Sequence, residues 1–250
     1  MNALDSNSIL PKQDFIARFH EIGKERYHHQ HPFHLLMHEG KLSRGQLQAW
    51  ALNRYAYQAR IPIKDATILA RSEDPAFRLA WRKRILDHDG DGTHPGGIEK
   101  WLRLVEATGL TREQAVRGDG ILPATRYAVD AYVDFVRSRS HLEAVASSLT
   151  ELFSKDLITL RVGKLREHYP WLSTGLDYFQ GRMTQAPEDA TFALNWVVQH
   201  ARTRDEQELA LAALRAKCDI LWAMLDALYF AYVEPGWPPP GAFRPAKDSQ

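Results

Sequence analysis

Apolar residues along this chain recur with the 3.6-residue period of an α-helix, and runs alternating on the two-residue period of a strand are nearly absent. The chain is therefore expected to be all-α, a compact multi-helix bundle. The spacing predicts helices over 12–24, 43–71, 75–87, 95–108, 111–117, 123–139, 141–153, 155–167, 174–184, 188–202 and 205–232. Ser43-x-x-Gln46 and Thr111-x-x-Gln114 read as capping boxes, in which each side chain satisfies an otherwise unpaired amide at a helix start. Asp74 before Pro75 and Ala186 before Pro187 read as helix N-termini, since the missing proline N–H costs nothing in a first turn. Pro62 falls inside the second predicted helix. There it removes a backbone hydrogen bond and should kink the helix, turning Gln58 and Lys64 toward one cavity. Residues 1–250 read as one helical domain, with 235–250 an extended or mobile tail behind the Pro-rich run Pro235 to Pro240.

Charge narrows the function classes. Lys+Arg 32 against Asp+Glu 31 gives a formal net charge of +1, which lacks the basic field of a nucleic-acid binder. Any anion binding must be local. The one cysteine, Cys218, leaves no disulfide framework and no cysteine-based zinc site, which suits a reducing compartment and makes the cytoplasm the expected location. Met1 to Asn7 lack the basic start and apolar run of a signal peptide. The longest apolar stretch, Ile220 to Val233, is 14 residues interrupted by Asp226, too short to span a bilayer.

Between Tyr27 and His38 lie five of the eleven histidines. Imidazole changes charge near neutrality, so such a cluster can move protons, bind metal or hold an anion. Arg54 and Gln58 are one turn apart on a helix that also carries Trp50, Tyr55 and Tyr57, and Lys64 follows. Such residues are commonly a solvated face. In a cavity they would instead suit a planar anionic ligand, because guanidinium offers paired donors to carboxylates and aromatic walls cover rings.

Metal readings fit less well. Asp87-His88-Asp89-Gly90-Asp91-Gly92 begins like a calcium loop, but the twelfth position is Ile98, with Glu99 one place too late. The segment reads better as a turn that positions His88. A di-iron bundle needs two Glu-x-x-His pairs and two further glutamates, and only Glu25-x-x-His28 fits. A mixed metal site within His28 to His38 stays open. Cys218 sits in an apolar context and reads as core, whereas the neighbouring Lys217 needs a partner or a ligand if its helix is buried.

Several long strings then carry a resemblance. They are Tyr27-His28-x-x-His31-Pro32-Phe33-His34, Asn53-Arg54-Tyr55-x-Tyr57-Gln58-x-x-Ile61-Pro62-x-Lys64-Asp65, Arg84-Ile85-Leu86-Asp87-His88-Asp89-Gly90, Ser147-Ser148-Leu149-Thr150-Glu151-Leu152-Phe153, His168-Tyr169-Pro170-Trp171 and Asp219-Ile220-Leu221-Trp222-x-Met224-Leu225-Asp226-Ala227. On these the chain resembles the pyrroloquinoline-quinone synthase family from about Phe15 to Tyr232. The resemblance implies a haem-oxygenase-like or TenA-like helical bundle, usually homodimeric, that uses no metal, haem or flavin. It implies ring closure on a bicyclic, polycarboxylate quinoid precursor, with oxidation by O2 to pyrroloquinoline quinone and release of hydrogen peroxide.

The same resemblance implies site residues. Arg54, Gln58, Lys64, Arg84, Arg161 and Lys217 would bind the substrate with His28, and Tyr132 and Thr150 would lie nearby. His88 would be the general base. Tyr178 and Arg182 match the family's oxygen-handling tyrosine and arginine. One position departs: where the family has a histidine three residues before the arginine matching Arg161, this chain has Ile158, which carries no proton. Two alternatives follow, a diverged quinone-binding protein without catalysis and a metal-dependent helical oxygenase.

Overall fold

The computed structural model describes residues 8–246, and among these there is no β-strand. The helices are α1 (Lys12–Arg26), α2 (Pro32–His38), α3 (Arg44–Gln58), α4 (Ile61–Leu69), α5 (Pro75–Asp89), α6 (Gly97–Thr108), α7 (Arg112–Arg117), α8 (Pro123–Ser138), α9 (His141–Ala146), α10 (Ser154–His168), α11 (Asp177–His200) and α12 (Arg204–Tyr232). Short 3₁₀ turns cover His28–Gln30, Ser147–Phe153 and Pro170–Gly175. The all-α expectation holds. No helix among the described residues is long and apolar enough to cross a membrane.

Local chemistry explains the boundaries. The Ser43 box is present in full, while Thr111 caps Gln114 N without the reciprocal bond. Two further boxes, Ser140 with Glu143 and Thr203 with Glu206, start α9 and α12. Asp74 accepts from Ala76 N, with Pro75 in the first turn of α5.

Three expectations need correction, and one helix was missed. The helix over 43–71 is two helices, because Pro62 sits in the first turn of α4 and residues 59–60 form the turn between. The predicted break at Pro187 is absent. Pro187 lies inside α11, where the buried positions Ala186, Ala190, Ala193 and Val197 continue on one helical face and offset a local cost of about 3 kcal/mol. The helix over 141–153 ends at Ala146 and tightens into the 3₁₀ turn of Ser147–Phe153. Helix α2 was not expected. His31 caps it, its Nδ1 accepting from Phe33 N at 3.0 Å, so its Nε2 bears the hydrogen donated to Asp226 at 3.0 Å.

Two apolar clusters flank the interior. One gathers Trp50, Trp101, Leu104, Tyr178 and Phe179; the other joins Phe15, Phe19, Phe77, Trp81, Leu214 and Cys218. Cys218 is core as expected, and burial pushes its thiol up to about 12. The segment after α12 lacks regular structure but is docked: Phe243 N donates to the Gly120 carbonyl at 2.9 Å and Tyr232 Oη to the Phe243 carbonyl at 2.9 Å. The last part of the expected tail, residues 247–250, lies outside the described residues.

Candidate active site

Between the two clusters is a cavity of about 100 Å³. Helices contribute to its wall in pairs one turn apart: Arg54 and Gln58 from α3, Arg84 and His88 from α5, Ile158 and Arg161 from α10, Tyr178 and Arg182 from α11. Lys64 from α4, Tyr132 from α8, Thr150 from the 3₁₀ turn and His28 complete the expected set. Gln58 and Lys64 are almost fully buried, so the solvated-face reading fails for them, and the turn at residues 59–60, in place of the expected kink, brings both to one cavity.

Lys217 is the exception. It does not line the cavity but lies behind the wall, 1% exposed, with Nζ donating to Tyr57 Oη at 2.8 Å.

The cations divide into two kinds. Arg84 and Arg182 share Glu151, Arg84 through Oε2 and Arg182 through Oε1 at 2.9 Å. Arg182 also reaches Asp189 at 3.4 Å, and Lys64 is bonded to Asp65 at 2.6 Å. Burial alone would raise the Glu151 carboxyl, but Arg84, Arg182 and Lys64 outweigh it and hold the group below its ordinary value. Arg54 and Arg161 have no carboxylate partner among the described residues. Arg54 lies over the Tyr57 ring at 4.3 Å, and Arg161 donates to His34 Nδ1 at 3.0 Å while its buried Nε has no partner. Burial, with Arg54 nearby, lowers Arg161 to about 10.

The imidazoles are held neutral. His88 Nδ1 is 2.9 Å from the Arg84 carbonyl, which can only accept, so Nδ1 carries the hydrogen and Nε2 is left basic. Burial, then Arg182, lowers His88 to about 4. His28 and His34 also fall well below the ordinary value, chiefly through burial. His34 Nδ1 faces two opposed demands, since Arg161 only donates to it and the His28 carbonyl at 2.9 Å only accepts. It can satisfy one of them at a time. Among the described residues no three His, Cys, Asp or Glu side chains are gathered as metal ligands.

The glycine loop does position His88. Gly90 caps α5 at φ +89°, and Gly96 packs so closely that a Cβ there would come within 2.3 Å of the His88 carbonyl oxygen.

Comparison with known proteins sets this geometry in a lineage. The family model described as TENA/THI-4/PQQC matches residues 16–227. The chain belongs to the TENA/THI-4/PQQC family. Within this family the chain is 54% identical over 244 residues to a pyrroloquinoline-quinone synthase of Xanthomonas campestris pv. campestris, covering 97% of this chain and 98% of the relative. It is 54% identical over 236 residues to a protein of the same name from Acidiphilium cryptum, covering 94% and 96%. A bifunctional coenzyme PQQ synthesis protein C/D of Methylorubrum extorquens is 53% identical over 240 residues, 96% of this chain and 64% of that longer protein. Among solved structures, a domain with a heme oxygenase-like fold from Shewanella denitrificans superposes at TM-score 0.71 with 13% identity, covering 95% of this chain and 100% of that one. A TenA homolog from Pseudomonas syringae pv. tomato superposes at 0.68 with 14% identity, covering 89% and 98%. These two show the fold alone, a heme oxygenase-like, TenA-like helical bundle.

Reasoning from sequence missed Glu151, Asp65 and Asp189 as counter-charges, and Tyr57 as more than an aromatic wall. The available signal was arithmetic: several buried guanidinium groups converging on one cavity require carboxylates.

Proposed function

We propose that this protein is a pyrroloquinoline-quinone synthase, an enzyme of pyrroloquinoline quinone biosynthesis acting at its last step. It closes a ring on a bicyclic tricarboxylate amino-acid precursor and carries out an eight-electron oxidation with O2 as acceptor, releasing hydrogen peroxide. The observation that carries this reading is the pair of cavity cations with no carboxylate partner among the described residues, Arg54 and Arg161, beside imidazoles held neutral. Such a wall favours a small polyanion and can still accept protons. Relatives that match nearly end to end and bear the synthase name support the same reading.

In this reading Arg54, Arg161, Gln58, Lys64 and His28 hold the substrate's carboxylates and quinone oxygens, with Tyr132 and Thr150 alongside. His88 Nε2 removes protons from ring carbons. The quinoid substrate supplies the redox centre itself, so no metal, haem or flavin is used. Each oxidation passes two electrons and two protons to O2, giving peroxide, beside Tyr178 and Arg182. Arg84 acts with Glu151 in fixing Arg182. The protein works as a cytoplasmic homodimer with no nucleic-acid partner.

A second reading rests on Ile158, an apolar side chain in the cavity wall where no proton can be carried. It is a quinone-binding relative without turnover. Incubating purified protein with the bicyclic precursor, first without oxygen and then in air, separates the two. Synthesis requires the absorbance of the tricyclic quinone, oxygen uptake and peroxide. Stoichiometric binding without oxygen uptake favours the second reading, and loss of turnover on chelation would point to a metal oxygenase.

A further inference from the structure

Lys217 and Tyr57 form a unit that the expected roles leave unexplained. The ammonium group of Lys217 has no carboxylate partner among the described residues. Its Nζ lies 3.3 Å from the centroid of the Tyr132 ring and 4.3 Å from that of Tyr57, and these two rings stack at 6.4 Å with 13° between their planes. Two phenol rings thus separate it from the cavity, and among the described residues its one hydrogen bond is to Tyr57 Oη. With Nζ as the donor, Tyr57 Oη is the acceptor and its own O–H points elsewhere. No acceptor for that hydrogen exists among the described residues. Tyr57 lines the cavity, so the open direction is toward a ligand.

Resting on the proposed function, we propose that Tyr57 donates a hydrogen bond to an oxygen of the bound quinoid substrate, and that Lys217 is the positioning residue that fixes this direction. Helix α3 supports the arrangement, since it sets Tyr57 three residues after Arg54 and beside Gln58, bringing a cation, a donor and an amide to one wall. Tyr178 repeats the pattern, its Oη accepting from Gln58 Nε2 at 2.8 Å. Burial pushes the Tyr57 phenol well above its ordinary value and keeps its hydrogen in place. Burial, with Lys64 and Arg54, pulls Lys217 down, whereas the two ring faces favour the ammonium. A bound polycarboxylate offsets the charge of Arg54 and Lys64, so the ammonium gains when the site is filled. Charge on Lys217 in turn makes the Tyr57 hydrogen a stronger donor, through the cooperativity of linked hydrogen bonds. A ligand oxygen bearing negative charge benefits most, which matches a quinone being reduced.

The test is a double-mutant cycle on the full chain with pyrroloquinoline quinone as ligand, following affinity and the visible absorption of the bound quinone. Tyr57→Phe and Lys217→Met should each weaken binding roughly tenfold or more, the loss expected for a charge-assisted hydrogen bond. The double variant should be no weaker than Tyr57→Phe, and both single variants should shift the bound absorption in the same direction. Losses that multiply would show two independent groups and overturn the proposal, as would wild-type affinity and absorption in Tyr57→Phe. Because Lys217→Met alters a buried site, 3-fluorotyrosine at position 57 gives a second arm. Its more acidic phenol should tighten binding and shift the absorption, and an unchanged spectrum would overturn the proposal. Wild-type protein that fails to bind the quinone would instead sink the functional reading itself.

Discussion

One hydrogen bond decides what His88 can do. With Nδ1–H committed to the Arg84 carbonyl and the ring held neutral, Nε2 is a base at neutral pH without any change of tautomer. His88→Asn should therefore still bind the quinone but form it about 10²–10⁴-fold more slowly, the usual cost of losing a general base. Product affinity measured beside turnover checks this, and unchanged turnover would remove His88 from the chemistry. Ile158 tests the other half of the reaction. If an imidazole there carries protons to reduced oxygen, Ile158→His should speed the oxygen-dependent phase without tightening quinone binding. An unchanged or slower phase would mean that Tyr178 and Arg182 already have a proton route. Melting curves must accompany the kinetics, since a polar group set into an apolar wall needs a partner.

Elements set how closely these side chains are held, and the loop from Gly90 to Gly96 holds His88 most directly. A Cβ on Gly96 would lie 2.3 Å from both Gly90 N and the His88 carbonyl oxygen, and backbone on both sides leaves nothing flexible to yield. Gly96→Ala should cost roughly 1–3 kcal/mol of stability and reduce turnover more than quinone affinity. A variant with normal melting and normal turnover would show that the loop can relax. The turn at His88 was legible in the sequence because glycine spacing announces it. The pair Arg54 with Gln58 was legible for a similar reason, as four-residue spacing survives folding unchanged, whereas Arg84 came only from the family resemblance. Helix α2 was not, because its cap is a histidine rather than a serine or aspartate. Pro187 misled because a local rule was outweighed by a buried face running through it. Glu151 was hidden for a different reason, since a carboxylate in a sequence does not say which arginine it will meet.

At the scale of the molecule, the interior carries groups that pH acts on together. His28, His34, His38 and His88 are all lowered from 6.5 by burial first, His38 and His88 to about 4. Between those values the unfolded chain binds protons that the native protein refuses, so stability is full above about pH 6.5 and falls as acid is added. For His88 alone the loss approaches ~3 kcal/mol by pH 4. Melting temperature should fall steeply from pH 6.5 toward pH 4 and less steeply in His88→Asn. A flat profile would mean that the rings are already charged in the native protein.

Arg161 gives the cavity its meaning in another currency. It is buried, repelled by Arg54 and left with an unpartnered Nε, all of which weigh against folding while the site is empty. Arg161→Met, similar in length and free of charge, should raise the melting temperature of the unliganded protein while weakening its hold on the quinone. A laboratory selection for heat resistance alone would then discard the binding site before it touched the rest of the bundle, and the positions it changed first would draw a map of function.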